Sequence, residues 1–317
     1  MKTLKTGLVI SIIIFSITGL TGLAMADQYP SDVITWNFAM KPGGGMDGAT
    51  RMLAKLTSEV MGQKIIVKNR PGAGGAVAAT YIKMAKPDGY DIGVGFSLTL
   101  GFDPLVNKLQ YTTDDFRYIA AFARLNVAFL SVMDDRWHDF PGMIKWAQNT
   151  GKPLNYGTIS TLDRMIVKSI ALKENIKINI VPMKGGGPAK AALLGGHVDF
   201  AILGSSHFAT AKENNLQILT MLTETRLADY PDVPTLIDLG YETSSETWIM
   251  FYGPKGLPDD ITAKLADAIH KAASMPKFQN LIKNRIGAHM ELLGTDELTK
   301  RMKSWTEQYK KLVDALK

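Results

Sequence analysis

Between residues 33 and 62 the chain reads as a strand, a glycine turn and a helix. Val33, Ile34, Trp36 and Phe38 sit in a short β-forming run, broken by Met40-Lys41-Pro42-Gly43-Gly44-Gly45-Met46-Asp47-Gly48. Behind the break, Ala49, Met52, Leu53, Leu56 and Val60 recur at helical spacing until Gly62 stops the run. Bare glycines let backbone approach a ligand closely. A helix start behind them presents N–H groups that have no intrahelical acceptor, an arrangement suited to an anion.

The alternation continues. A strand over 64–68 leads into Asn69-Arg70-Pro71-Gly72-Ala73-Gly74-Gly75 and a helix over 76–84; after the turn Pro87-Asp88-Gly89-Tyr90 a strand covers 91–95. Residues 96–104, with Ser97, Thr99 and Phe102, read as a loop, and 118–132 holds two strands. The pattern then restarts, with helices over 143–148 and 162–173, strands over 154–157, 178–182, 198–203 and 216–222, and Lys184-Gly185-Gly186-Gly187 opening a short helix. A further strand covers 247–252, and the last helix carries Leu298, Met302, Trp305, Tyr309, Leu312 and Leu316 on one stripe.

Strands alternating with helices predict an α/β fold of mostly parallel sheets flanked by helices, with ligands at the carboxyl ends of the strands. Two such runs predict two lobes joined by two crossing strands, 126–132 and 247–252. The expected division is 27–125 plus 247–317 for the first lobe and 126–246 for the second, with the C-terminal helices returning to the first.

Residues 1–26 are expected to be a cleaved signal peptide: Lys2 and Lys5 are basic, an apolar stretch follows, and Ala24-Met25-Ala26 is an A-x-A site. The chain has no cysteine, which removes a lipoprotein anchor, disulfides and thiolate sites together. Export without a lipid anchor predicts a periplasmic location. Loss of Lys2 and Lys5 lowers the formal charge from +6 to +4, and the basic residues are scattered, so nucleic-acid binding is not expected.

Catalytic signatures are missing. Gly43 to Thr50 imitates a phosphate loop but has Ala49 where lysine is required, and Val77 replaces the third glycine of a dinucleotide fingerprint. None of His138, His197, His207, His270 and His289 forms a ligand pair, and no serine lies in G-x-S-x-G. No catalytic residue, metal or cofactor is expected. Asp47 has two readings, capping its own helix or orienting waters on a ligand; an Asp47–Arg51 pair is the plain account of its neighbour. Trp36, Phe38, Phe96, Tyr156 and Trp248 are core or pocket-wall residues.

The ordered set Pro42-Gly43-Gly44-Gly45-Met46-Asp47, Asn69-Arg70-Pro71-Gly72, Pro87-Asp88-Gly89-Tyr90, Lys184-Gly185-Gly186-Gly187-Pro188-Ala189 and Pro231-Asp232-Val233-Pro234 resembles the solute receptors of tripartite tricarboxylate transporters, the TctC or Bug proteins. The resemblance runs from about Trp36 to the C-terminus. It implies a two-lobed, type II-like periplasmic binding protein, a receptor and not an enzyme, that closes on a small di-, tri- or aromatic carboxylate and delivers it, as a monomer, to membrane permease subunits. It places the ligand on two loops: Gly43, Gly44, Gly45 and Asp47 in the first lobe, and Tyr156, Thr158, Ser160 and Thr161 in the second. Ser97 and Ser205 join the ligand-binding set, with Trp36, Phe38, Phe96 and Trp248 as pocket wall. Where the family often has aspartate this chain has Gly204-Ser205-Ser206, and Met183 replaces its usual tyrosine. A carboxylate sensor coupled to a signalling partner, and an exported α/β enzyme on organic acids, are the alternatives.

Overall fold

The computed structural model describes residues 29–208, 210–245 and 247–317. The expected signal peptide lies outside them. From the amino end the elements are β1 (Ile34–Phe38), α1 (Gly45–Met61), β2 (Ile65–Asn69), α2 (Ala76–Lys83), β3 (Asp91–Phe96), α3 (Ser97–Gly101), α4 (Asp103–Val106) and β4 (Phe116–Leu125). There follow β5 (Val127–Val132), α5 (Phe140–Thr150), β6 (Leu154–Thr158), α6 (Thr161–Glu174), β7 (Ile178–Pro182), α7 (Gly186–Leu194), β8 (Phe200–Gly204) and β9 (Leu216–Met221). The chain ends with β10 (Thr247–Pro254), α8 (Asp259–Ala273), α9 (Pro276–Leu281), a π-helical turn (Ile282–Ile286), β11 (His289–Leu293) and α10 (Thr295–Asp314).

These strands form two sheets, ordered β11-β4-β10-β3-β1-β2 and β7-β6-β8-β5-β9. The chain leaves the first sheet at Leu125, enters the second at Val127, and returns with Thr247. Both sheets are mixed. The helix-linked strands pair in parallel, β2-β1-β3 and β7-β6-β8, as the alternation predicted. The remaining pairings, through β10, β4 and β11 in one sheet and β5 and β9 in the other, are antiparallel. β10 and β11 in one sheet and β5 in the other run against the helix-linked strands, a direction that the alternation alone does not give.

One face of the first sheet is sealed by α1 and α8. Trp36 meets Phe251 with ring centroids 4.5 Å apart, and Phe122 packs edge-on against Phe278 at 5.5 Å. The opposite face belongs to an apolar layer that continues from Phe102, Trp248 and Trp305 into Phe129, Tyr156 and Ile166 of the second lobe. Along this layer lies α10, its expected stripe of Leu298, Met302, Trp305, Tyr309 and Leu312 buried. It packs on α3 and β4 as expected, and also on α6 of the other lobe. Trp305 stacks on Trp248 at 5.9 Å and donates its indole N–H to Glu224 at 2.8 Å. Burying such a ring stabilises by about 1.5–3 kcal/mol, so α10 fastens both lobes.

Residues 96–104, read as a loop, form the two short helices α3 and α4. Pro104 sits in the first turn of α4, where a missing N–H removes no bond. Ser97, Thr99 and Leu100 are buried, so the segment is packed and not open to solvent.

Candidate functional site

Three glycine turns lie where strands end: after β1, after β2 and after β7. In the first, Gly43, Gly44 and Gly45 are exposed. Gly43 has φ +89°, a conformation glycine adopts without strain, and this turns its N–H toward the chain behind it. That N–H donates to Asp47 Oδ2 at 3.1 Å. Asp47, 5% exposed, also accepts from Arg51 Nε at 3.0 Å and from Asn69 Nδ2 at 2.8 Å. Asn69 reaches back to Met40 O at 3.0 Å. Burial alone favours the neutral acid, but the donations from Arg51, Asn69 and Gly43 outweigh it and hold the Asp47 carboxyl below its ordinary range.

Asp47 therefore neither caps its helix nor faces outward; it ties the glycine turn to the end of β2. No side chain caps α1 at Gly44, so the first-turn N–H groups remain available at an exposed turn. Arg70, in the same block as Asn69, is also structural. It donates to Asn37 Oδ1 at 2.6 Å and lies 3.5 Å from the Tyr81 ring centre.

The turn after β6 is built on a residue that the sequence pattern did not single out. Asp163, fully buried, accepts from Tyr156 Oη at 2.9 Å, Thr158 Oγ1 at 2.8 Å, and the N–H groups of Ile159 at 2.9 Å, Ser160 at 2.9 Å and Arg164 at 2.8 Å. The Ser160 hydroxyl donates to it as well, at 2.9 Å, and accepts from the Asp163 N–H at 3.3 Å, completing a capping box on α6. The signal was present as Ser160-Thr161-Leu162-Asp163, an S-x-x-D before an apolar helix.

The expected site residues fall into three groups. Gly43, Gly44, Gly45, Ser160 and Thr161 are exposed, and Ser205 and Phe96 are half-buried. Asp47, Ser97, Tyr156 and Thr158 are buried and bonded within the protein. Ser97 Oγ accepts from Trp248 N at 3.0 Å and ties β3 to β10. Tyr156 and Thr158 spend their hydroxyl protons on Asp163. These four shape the loops from behind. Trp36, Phe38 and Trp248 are fully buried core residues, not pocket wall. Strand alternation did not reveal this because both faces of β1 and β10 are covered.

Two expected residues meet a segment that was not expected beside them. A Cβ placed on Gly45 would lie 3.1 Å from Ile286 Cδ1. Ser205 donates its hydroxyl to Gly287 O, and its N–H to Asn126 O at 2.9 Å where the chain crosses between the sheets. Two surface grooves, of about 470 and 650 Å³, flank α10 instead; Tyr241 and Gln308 line one, Leu105 and Lys310 the other. Neither is lined by a residue of the glycine turns.

Two mixed α/β sheets with glycine turns at the strand ends define the two-lobed fold of periplasmic binding proteins. It matches the crystal structure of a TctC solute-binding protein from Polaromonas with a TM-score of 0.82 and 25% identity, covering 90% of this chain and 99% of that one. Residues 49–316 match the model of the tripartite tricarboxylate transporter family receptor, and the chain belongs to that family. It is 27% identical over 278 residues to the UPF0065 protein in the gbd 5′ region of Cupriavidus necator, covering 87% of this chain and 85% of that protein. In fold it also resembles MatC from Rhodopseudomonas palustris with bound malate, at a TM-score of 0.67 and 24% identity, covering 90% and 100% of the two chains. The family and fold are those of periplasmic solute-binding receptors, not of enzymes.

Proposed function

We propose that this protein captures a small organic carboxylate between its lobes and delivers it, as a monomer, to the membrane permease of a tripartite transporter. The observation that carries the reading is the exposed, uncapped amino end of α1 behind Gly43, Gly44 and Gly45. A 17-residue helix adds a positive dipole end to those free N–H groups, so one carboxylate is held without a buried counter-charge. Thr161 of the second lobe supplies an opposing hydroxyl, with bridging water where direct contact falls short, while Ser160, whose hydroxyl proton and N–H are both on Asp163, shapes that turn. The malate of the related structure supports the ligand class.

In this reading the lobes divide at 125/126 and 246/247 and the chain begins at Asp27 after removal of a signal peptide. Closure about the crossings desolvates the ligand and creates the surface that the permease reads. With Trp36, Phe38 and Trp248 in the core, an aromatic-lined cleft loses its support, and the aliphatic di- and tricarboxylates are favoured.

Thermal unfolding of the chain from Asp27 against aliphatic dicarboxylates, tricarboxylates and aromatic acids tests this. A true ligand at a hundred times its Kd adds about 2.7 kcal/mol, or roughly 5–10 °C in Tm, and the rise is concentration-dependent. A flat response across the whole panel would sink the carboxylate assignment.

A further inference from the structure

Between α9 and β11 the backbone widens into the π-helical turn, closed by the Gly287 N–H donating to Ile282 O at 3.0 Å. Such a turn inserts one residue into the helical ladder and re-aims the residues beyond it, and such turns occur often at functional sites. Ile282 is fully buried in the first lobe's core, which fixes the base of the turn. Gly287 takes φ +69°, unstrained only for glycine, and ends it. The insertion brings Ile286 against Gly45, the first residue of α1. It also turns the Gly287 carbonyl toward the second lobe, where the Ser205 hydroxyl donates to it. A Cβ on Gly287 would sit 3.5 Å from Ser206 N, so the backbones of the two lobes are in contact there.

From this contact with both lobes we propose that the 282–287 turn is a third wall of the cleft, and that Ile286 determines specificity by presenting an apolar side chain beside the anion-binding N–H groups. The ligand class it names rests on the receptor reading above. A carboxylate seated on α1 places its adjacent carbon next to Ile286. A methylene there is covered favourably, whereas a hydroxyl loses its water and gains no partner. The preferred ligands are carboxylates unsubstituted next to the bound carboxylate, and 2-hydroxy acids bind less well. Ser205 acts on closure, not on choice, because its bond joins the lobes.

The test is calorimetric titration with succinate and malate, which differ by one hydroxyl, against the full chain from Asp27. The wild type should prefer succinate by about tenfold. Ile286→Val should keep the preference and Ile286→Ser should reduce it at least threefold, while Ser205→Ala should weaken both acids equally. Ile286 is only half-buried, and unfolding curves establish that each variant is folded. An unchanged ratio in a folded Ile286→Ser, or a wild type with no preference or favouring malate, overturns the inference and leaves the receptor reading standing. A wild type that binds neither acid overturns the inference, whereas the receptor reading falls only with a flat response across the whole carboxylate panel.

Discussion

Removing the Asp163 carboxylate would strand the buried Tyr156 hydroxyl and the N–H groups of Ile159 and Ser160 at once, while Thr158 Oγ1 and the Arg164 N–H keep the Ser160 carbonyl. Each unsatisfied buried donor costs about 1–3 kcal/mol, so Asp163→Ala should lose about 3 kcal/mol or more and lower Tm by at least roughly 6 °C. Asp47→Ala should cost less, about 1 kcal/mol in chemical denaturation, because Arg51 is half-exposed and its ion pair adds little. It should still weaken ligand binding by about tenfold, since the Gly43 tether goes with it. Asp103, half-buried at the start of α4, has its carboxyl pushed up to about 6 by burial. The folded chain therefore keeps a proton that the unfolded chain has released between about pH 4 and 6. The stability this contributes is complete below the ordinary value of 3.8 and is lost as pH rises through about 6. Asp103→Asn should remove that loss, and melting curves at pH 5 and pH 7.5 should then differ less than in the wild type. At this scale the sequence was legible only in places. Asp47 and Arg51 stood out together, yet which way the carboxylate turned depended on Asn69, a residue 22 positions away. Asp163 did not stand out, because burial cannot be read from spacing.

Elements were more legible than residues. The strand expected over 178–182 is β7 to the residue, and 162–173 falls inside α6, since apolar runs between glycines leave little freedom. The same logic missed α3 and α4, whose short length and proline hide their periodicity. The double allegiance of α10 was also hidden: one stripe was visible, but not that it is shared between two lobes. Glu224→Ala should leave the Trp305 indole N–H without its acceptor, lower stability by about 1 kcal/mol, and perturb the near-ultraviolet dichroism of the stacked Trp248–Trp305 pair. Unchanged aromatic dichroism would show that this bond does not hold the pair in place.

For the whole molecule, the two-lobed architecture was legible because it follows from counting alternations, whereas strand direction beyond the helix-linked pairs was not. The order of the first sheet reaches further than ligand binding. β10 is one of its two central strands, with β4 on one side and β3 on the other. Thr247 pairs with Leu125, a partner made more than a hundred residues earlier. Until β10 is present, β2-β1-β3 and β4 are separate pieces with unpaired edges, whereas every strand of the second sheet comes from one continuous stretch. The discontinuous lobe must close a long loop before its sheet can form, which slows it. During synthesis, the second lobe can finish while the first still waits for one of its central strands. Chains halted before residue 247 should accordingly be protease-resistant in the later-made lobe and digestible in the earlier one.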